Sequence, residues 1–257
     1  MGCGGLRGGF ERYSREWTDL SFLELGRFAG WMNKFIGYLP SIIGGWAVHF
    51  YNPEGLGSTD IDVVLPDRAA RDKVVTAYLA TNGYVLRKRA FGEAEWVKEL
   101  MVGEKKIDHY LDICTLQDKN LVHGRDIELP WAIAMADQKS VRVGKSELFI
   151  PGPEPLLLLK LKAAWDRSYD ISAGGGTPYL RDKLGKDRFD ILSLLIKCRI
   201  NTEKVRRMAT EFRFGECARE ALSRAAADQA VIDRHGLDRQ KARALARKAE
   251  KVISGLA

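Results

Sequence analysis

The tripeptide Asp60-Ile61-Asp62, leading straight into Val63-Val64-Leu65, constrains this chain more than any other feature. Acidic residues alternating with an apolar one read as a strand, in which residues i and i+2 point to the same face. Two carboxylates therefore stand side by side at one end of a buried strand. Adjacent anions repel each other and are costly to desolvate. A divalent cation resolves that conflict, and Mg²⁺ takes one or two carboxylates together with phosphate oxygens. Just upstream, Gly57-Ser58 offers bare backbone and a hydroxyl suited to a phosphate. Further upstream, Gly44-Gly45 lets the chain turn sharply into a short helix over residues 46 to 50. The segment reads as a metal and nucleotide site.

Periodicity predicts the surroundings. Residues 14 to 38 carry apolar side chains at helical spacing, among them Trp17, Leu25, Phe28 and Met32, and Pro40 stops the helices. Residues 41 to 43 read as a short buried strand. A helix capped by Asp67 runs to about residue 81 and ends at Gly83. Residues 84 to 90 look like a strand, and 94 to 102 with 106 to 116 form a hairpin about Gly103-Glu104. In its second arm Asp108, Tyr110 and Asp112 share one face. Asp112, between Leu111 and Ile113, is a candidate third carboxylate; for Asp108, nearer the turn, solvation is the cheaper explanation.

Residues 131 to 138 read as a short helix and 141 to 150 as another hairpin. Pro151-Gly152-Pro153 marks a boundary. Beyond it the pattern is helical over residues 154 to 169, 187 to 198, 202 to 214, 216 to 235 and 238 to 255. A flexible glycine-rich loop is expected over 172 to 178. The expected class is therefore α+β: a mixed sheet with flanking and N-terminal helices over residues 1–150, then a helical domain over 151–257.

Composition narrows the function classes. No apolar run reaches membrane-spanning length, and the first residues lack the apolar stretch of a signal peptide. A cytoplasmic location and no membrane partner are expected. The four cysteines (Cys3, Cys114, Cys198, Cys217) are scattered without a Cys-x-x-Cys pair, which argues against a zinc site or a disulfide framework. Cys114 and Cys198 fall inside apolar runs and are expected to be buried thiols. The net charge of +7 favours an anionic partner. Residues 201 to 257 hold 13 Lys/Arg against 8 Asp/Glu. A solvated helical surface explains such a face; contact with nucleic-acid phosphates is the functional alternative. No P-loop, His-Glu-x-x-His or Gly-x-Ser-x-Gly pattern is present, and the glycines near Gly174 do not follow a strand.

Taken together, Gly44-Gly45, Gly57-Ser58-Thr59-Asp60-Ile61-Asp62 and the later strand with Asp112 resemble the DNA polymerase β-type nucleotidyltransferases. Residues 156 to 167, then Lys186-Asp187-Arg188-Phe189-Asp190-Ile191-Leu192, are similar to the second half of AbiEii-type toxin nucleotidyltransferases. The resemblance covers roughly residues 42 to 195. It implies a nucleotidyltransferase fold and an Mg²⁺-dependent transfer of a nucleoside monophosphate from an NTP, with Mn²⁺ as a substitute metal. Asp60, Asp62 and Asp112 would be the metal-binding and catalytic residues. Gly44, Gly45, Gly57, Ser58, Lys162 and Asp187 would bind the nucleotide, with Lys160 the alternative to Lys162 and Asp190 part of the same motif. The acceptor hydroxyl stays open at this point: RNA, such as a tRNA 3′ end, in a toxin-like role beside an antitoxin protein; a small antibiotic-type molecule; or a protein side chain. A non-catalytic module that binds nucleotide or nucleic acid is the reading from a different class.

Overall fold

The structure, a computed structural model, describes residues 11–88 and 94–255. In chain order these form α1 (Arg15–Trp31), β1 (Ser41–Ile43), α2 (Gly44–Tyr51), β2 (Asp60–Leu65), α3 (Arg68–Lys73), β3 (Val85–Lys88), β4 (Ala94–Val102) and β5 (Lys105–Thr115). A 3-10 turn (Trp131–Met135) leads to β6 (Lys139–Val143) and β7 (Ser146–Ile150). Helices follow: α4 (Pro153–Asp170), α5 (Pro178–Lys197), α6 (Thr202–Glu211), α7 (Gly215–Ala226), α8 (Gln229–Arg234) and α9 (Arg239–Gly255). This is the α+β organisation expected from the sequence, a mixed sheet with flanking helices followed by helices alone.

The sheet runs in the order β3-β4-β5-β2-β1-β7-β6. β2 pairs in parallel with β5, and β1 in parallel with β7; the other pairings are antiparallel. β2 is thus the inner strand, with Ile61, Val63, Val64 and Leu65 fully buried. α1 covers one side through Leu25 and Phe28, joined by Met32 just after its end, none of which is exposed. α4 carries four consecutive buried leucines, Leu156 to Leu159. A helix apolar on several sides is a core helix, and α4 packs against α2, α5, α6 and α7. The helical region also touches the sheet region, because α4 and α5 both pack on α2.

Several local expectations change. The last helix before the C-terminal group starts at Pro178, not residue 187: the Thr177 side chain accepts from Leu180 N–H, and Pro178 occupies the first turn, where its missing N–H costs nothing. Part of the glycine-rich loop prolongs α4 as a π-helical turn over Ile171–Gly175, closed by Gly174 at φ 97°. The single helix expected over 216 to 235 is two, because Asp228 caps Val231 N–H and starts α8. Asp67 does cap α3, accepting from Ala70 N–H at 2.7 Å. Cys114 and Cys198 are half-buried, and Cys217 is the buried thiol. Cys3 and the end of the strand expected over 84 to 90 lie outside the described residues. Among the described residues no helix is long and apolar enough to cross a membrane.

Candidate active site

The pleat of β2 puts the Asp60 and Asp62 side chains on one face, and the register does the rest. Asp62 stands opposite Asp112 on β5 and opposite Ile43 on β1. Side chains facing each other across paired strands point the same way, so Asp60, Asp62 and Asp112 line one cavity of about 590 Å³. The turn before β2 is held from behind. His109 Nδ1 donates to the Thr59 carbonyl at 2.8 Å, Ser58 Oγ accepts from Asp60 N–H at 3.3 Å, and Thr59 Oγ1 bonds Asp60 Oδ1 at 3.2 Å. Burial pulls His109 down to about 4, so its imidazole is neutral and serves as a strut. Gly57 packs on α1: a Cβ there would lie 2.6 Å from Thr18 Cβ.

Gly44 and Gly45 open α2 directly beside these groups. Gly44 has φ +66°, and a Cβ on it would fall 1.8 Å from Asp62 Oδ2. A Cβ on Gly45 would stand 2.8 Å from Ser58 Oγ. No side chain caps the N-terminus of α2. Ile43, Gly45 and Ser58 line the cavity, so this N-terminus borders it with backbone N–H groups available to an anion.

Across the cavity stands a wall of cations from the helical region. Lys160 and Arg167 come from α4, Lys183 and Lys186 from α5, and all four line the same space. Their counter-ions are largely on α5. Lys160 lies 3.2 Å from Asp187 and 2.8 Å from Asp190; Arg167 pairs with Asp187 and Lys186 with Asp190. Asp187 and Asp190 are both buried. Burial would raise the Asp187 carboxyl, but Arg167 and Lys160 outweigh it and hold it below the usual carboxylate range. Burial likewise opposes the charge on Lys160, yet Asp190 and Asp187 keep it above the usual lysine range. Asp62 is the opposite case: burial pushes its carboxyl up despite Lys160 and Arg167 nearby. Lys183 reaches across to β2 and pairs with Asp60.

Of the two lysines left open on α4, Lys160 lines the cavity. Lys162 turns to the other side, where it pairs with Asp166, whose carboxylate also accepts from His123 N–H at 2.9 Å. Lys162 thus ties the segment after β5 to α4 rather than facing the aspartates. His49 packs edge-on against Trp46, with its pKa lowered first by burial.

Residues that sequence reading missed also line the cavity. Tyr13, buried, approaches Lys186, whose Nζ sits 5.6 Å over its ring. Tyr179 from the first turn of α5 carries Arg12 at 4.7 Å over its ring. Glu95 and Trp96 from β4 complete the far side. One signal was available: 183, 186, 187 and 190 fall at i, i+3, i+4 and i+7, a single helix face. Among the described residues no three His, Cys, Asp or Glu side chains converge closely enough to make a protein-only metal cage.

No family model matches the chain, and no curated protein sequence matches it. The chain is similar in overall shape to the crystal structure of an antigenic nucleotidyltransferase-like protein from Paracoccidioides brasiliensis, with a TM-score of 0.47 and 16% identity over 83% of this chain and 93% of that chain. A likeness at that level bears on neither the residues of the cavity nor their chemistry.

Proposed function

We propose that the chain is a nucleotidyltransferase that moves a nucleoside monophosphate from an NTP to a hydroxyl acceptor. One observation carries this reading: Asp60, Asp62 and Asp112 share a cavity with Lys160, Arg167, Lys183 and Lys186 and with the uncapped N-terminus of α2. Carboxylates alone would suit a cation, and cations alone an anion. The two facing each other suit a cation–polyphosphate complex.

The donor set fits a divalent cation of the Mg²⁺ type, with Mn²⁺ as a substitute. Asp60 and Asp62 would hold it, with Asp112 beside them, and phosphate oxygens would complete its shell. When bound, such an ion supplies positive charge against the triphosphate and against the attacking oxygen. The chain's own residues do the rest. Gly44, Gly45, Gly57 and Ser58 offer N–H and hydroxyl donors to the terminal phosphates. Lys160, Arg167 and Lys186, anchored by Asp187 and Asp190, face the negative charge that gathers on the phosphate oxygens. Asp112 orients the acceptor hydroxyl and takes its proton. The acceptor oxygen bonds to the α-phosphorus as the bond to the β-phosphate oxygen breaks, and pyrophosphate leaves.

RNA is the acceptor we favour, in a toxin-like role of the AbiEii type with an antitoxin as regulatory partner. The support is the exposed basic face of α9, with Lys241, Arg243, Arg247 and Lys251, together with the resemblance of the α4–α5 stretch. Incubation of the protein with each α-labelled NTP, Mg²⁺ and total RNA tests it. Label on RNA supports the reading. Label on protein or on an added small hydroxyl compound moves the acceptor to those classes. No label and no nucleotide binding removes the enzyme reading in favour of a non-catalytic module.

A further inference from the structure

Lys183 behaves differently from the cations around it. Lys160, Arg167 and Lys186 are each tied to Asp187 or Asp190, carboxylates of the helical region. Lys183 leaves the same face of α5 and pairs across the cavity with Asp60 on β2. Both groups are well enclosed, at 15% exposure for the lysine side chain and 7% for the aspartate. An enclosed carboxylate without a counter-charge is costly, and Lys183 supplies that charge when nothing else is bound. A carboxylate oxygen in contact with an ammonium cannot also take a divalent ion without bringing two cations together.

We propose that Lys183 is a tethered counter-ion that stands in for the divalent cation on Asp60 and moves to the phosphates of an incoming nucleotide, so that metal enters with the nucleotide and not ahead of it. The proposal rests on the nucleotidyltransferase reading above. Two features suit Lys183 to the exchange. Its stem is long and flexible, with a compact charge at the end. It also lies in the second turn of α5, near a helix N-terminus whose first turn, with Tyr179 and Leu180, borders the cavity and favours anions.

The test uses Mn²⁺ as a spectroscopic probe of the metal site, read by electron paramagnetic resonance on the full chain. Wild type, Lys183→Met and Asp62→Asn are titrated with and without a non-hydrolysable NTP analogue. Without nucleotide, Lys183→Met should bind Mn²⁺ about tenfold more tightly than wild type, the size of one pKa unit of charge interaction. Lys183→Arg, which keeps the charge, should stay like wild type, and Lys183→Gln serves where the Met variant does not fold. Equal Mn²⁺ affinity in wild type and in the uncharged variants overturns the proposal. If nucleotide-dependent Mn²⁺ binding is meanwhile lost in Asp62→Asn, the reading of the site survives that failure. Absence of any Asp62-dependent Mn²⁺ binding overturns both.

Discussion

The cavity has two walls built on opposite principles. The sheet wall gathers like charges: Asp60, Asp62 and Asp112 stand together on neighbouring strands, and burial raises the Asp62 carboxyl. The helical wall gathers opposite charges that already satisfy one another, with Asp187 and Asp190 each holding two cations. On the first wall Lys183 covers Asp60 while burial still disfavours the Asp62 anion, whereas the second wall is complete in itself. Removing a charge should therefore have opposite consequences on the two walls.

The largest effect is expected at Asp62. Asp62→Asn should lower transfer by on the order of 10³-fold, while thermal unfolding shows equal or greater stability because an anion that burial disfavours is gone. Asp190→Ala is the reverse case. It strands Lys186 in a buried setting and leaves Lys160 with Asp187 alone, and should cost about 3–5 kcal/mol in chemical denaturation. If Asp62→Asn destabilises and Asp190→Ala does not, the contrast between the walls is wrong.

A smaller effect concerns the strut behind the sheet wall. His109 has its pKa lowered from 6.5 to about 4 by burial, so the unfolded chain binds more protons than the folded one between those values. Its contribution is fully present above pH 6.5 and is lost as pH falls toward 4, by up to about 3 kcal/mol. Denaturation midpoints across that window should fall in wild type and fall less in His109→Gln. Gly44→Ala should cost about 1–2 kcal/mol for the left-handed backbone, and its methyl would push the Asp62 carboxylate out of place, lowering activity as well.

The legibility of the two walls differs for the same physical reason. Strand periodicity places Asp60 and Asp62 on one face within three residues, and Asp112 needs only a neighbouring strand in register. The helical wall was harder to read. Leu156 to Leu159 are apolar on every side, so nothing phases the helix. Lys160 and Lys162 differ by about 200° around its axis, and the structure turns Lys160 inward. Lys183 was missed because α5 was expected to start at 187; the Thr177 cap and Pro178 carry its true start. Tyr13 and Glu95 reach the cavity through tertiary packing that no local pattern encodes.

The smallest expected effect sharpens the same point. Lys162→Met should leave nucleotide affinity within about threefold of wild type, because Lys162 is held by Asp166 away from the cavity, whereas Lys160→Met should weaken it about tenfold or more. Equal losses would mean that α4 presents both lysines to the ligand.

The sharpest test of a site shared by both walls is the Mg²⁺ dependence of NTP-analogue binding, measured by calorimetry on wild type, Asp62→Asn and Arg167→Met. Wild type should bind in a Mg²⁺-dependent way, Asp62→Asn should lose that dependence, and Arg167→Met should bind about tenfold or more weakly, since one ligand spans both walls. Binding that ignores Mg²⁺ and is unchanged in both variants would contradict it.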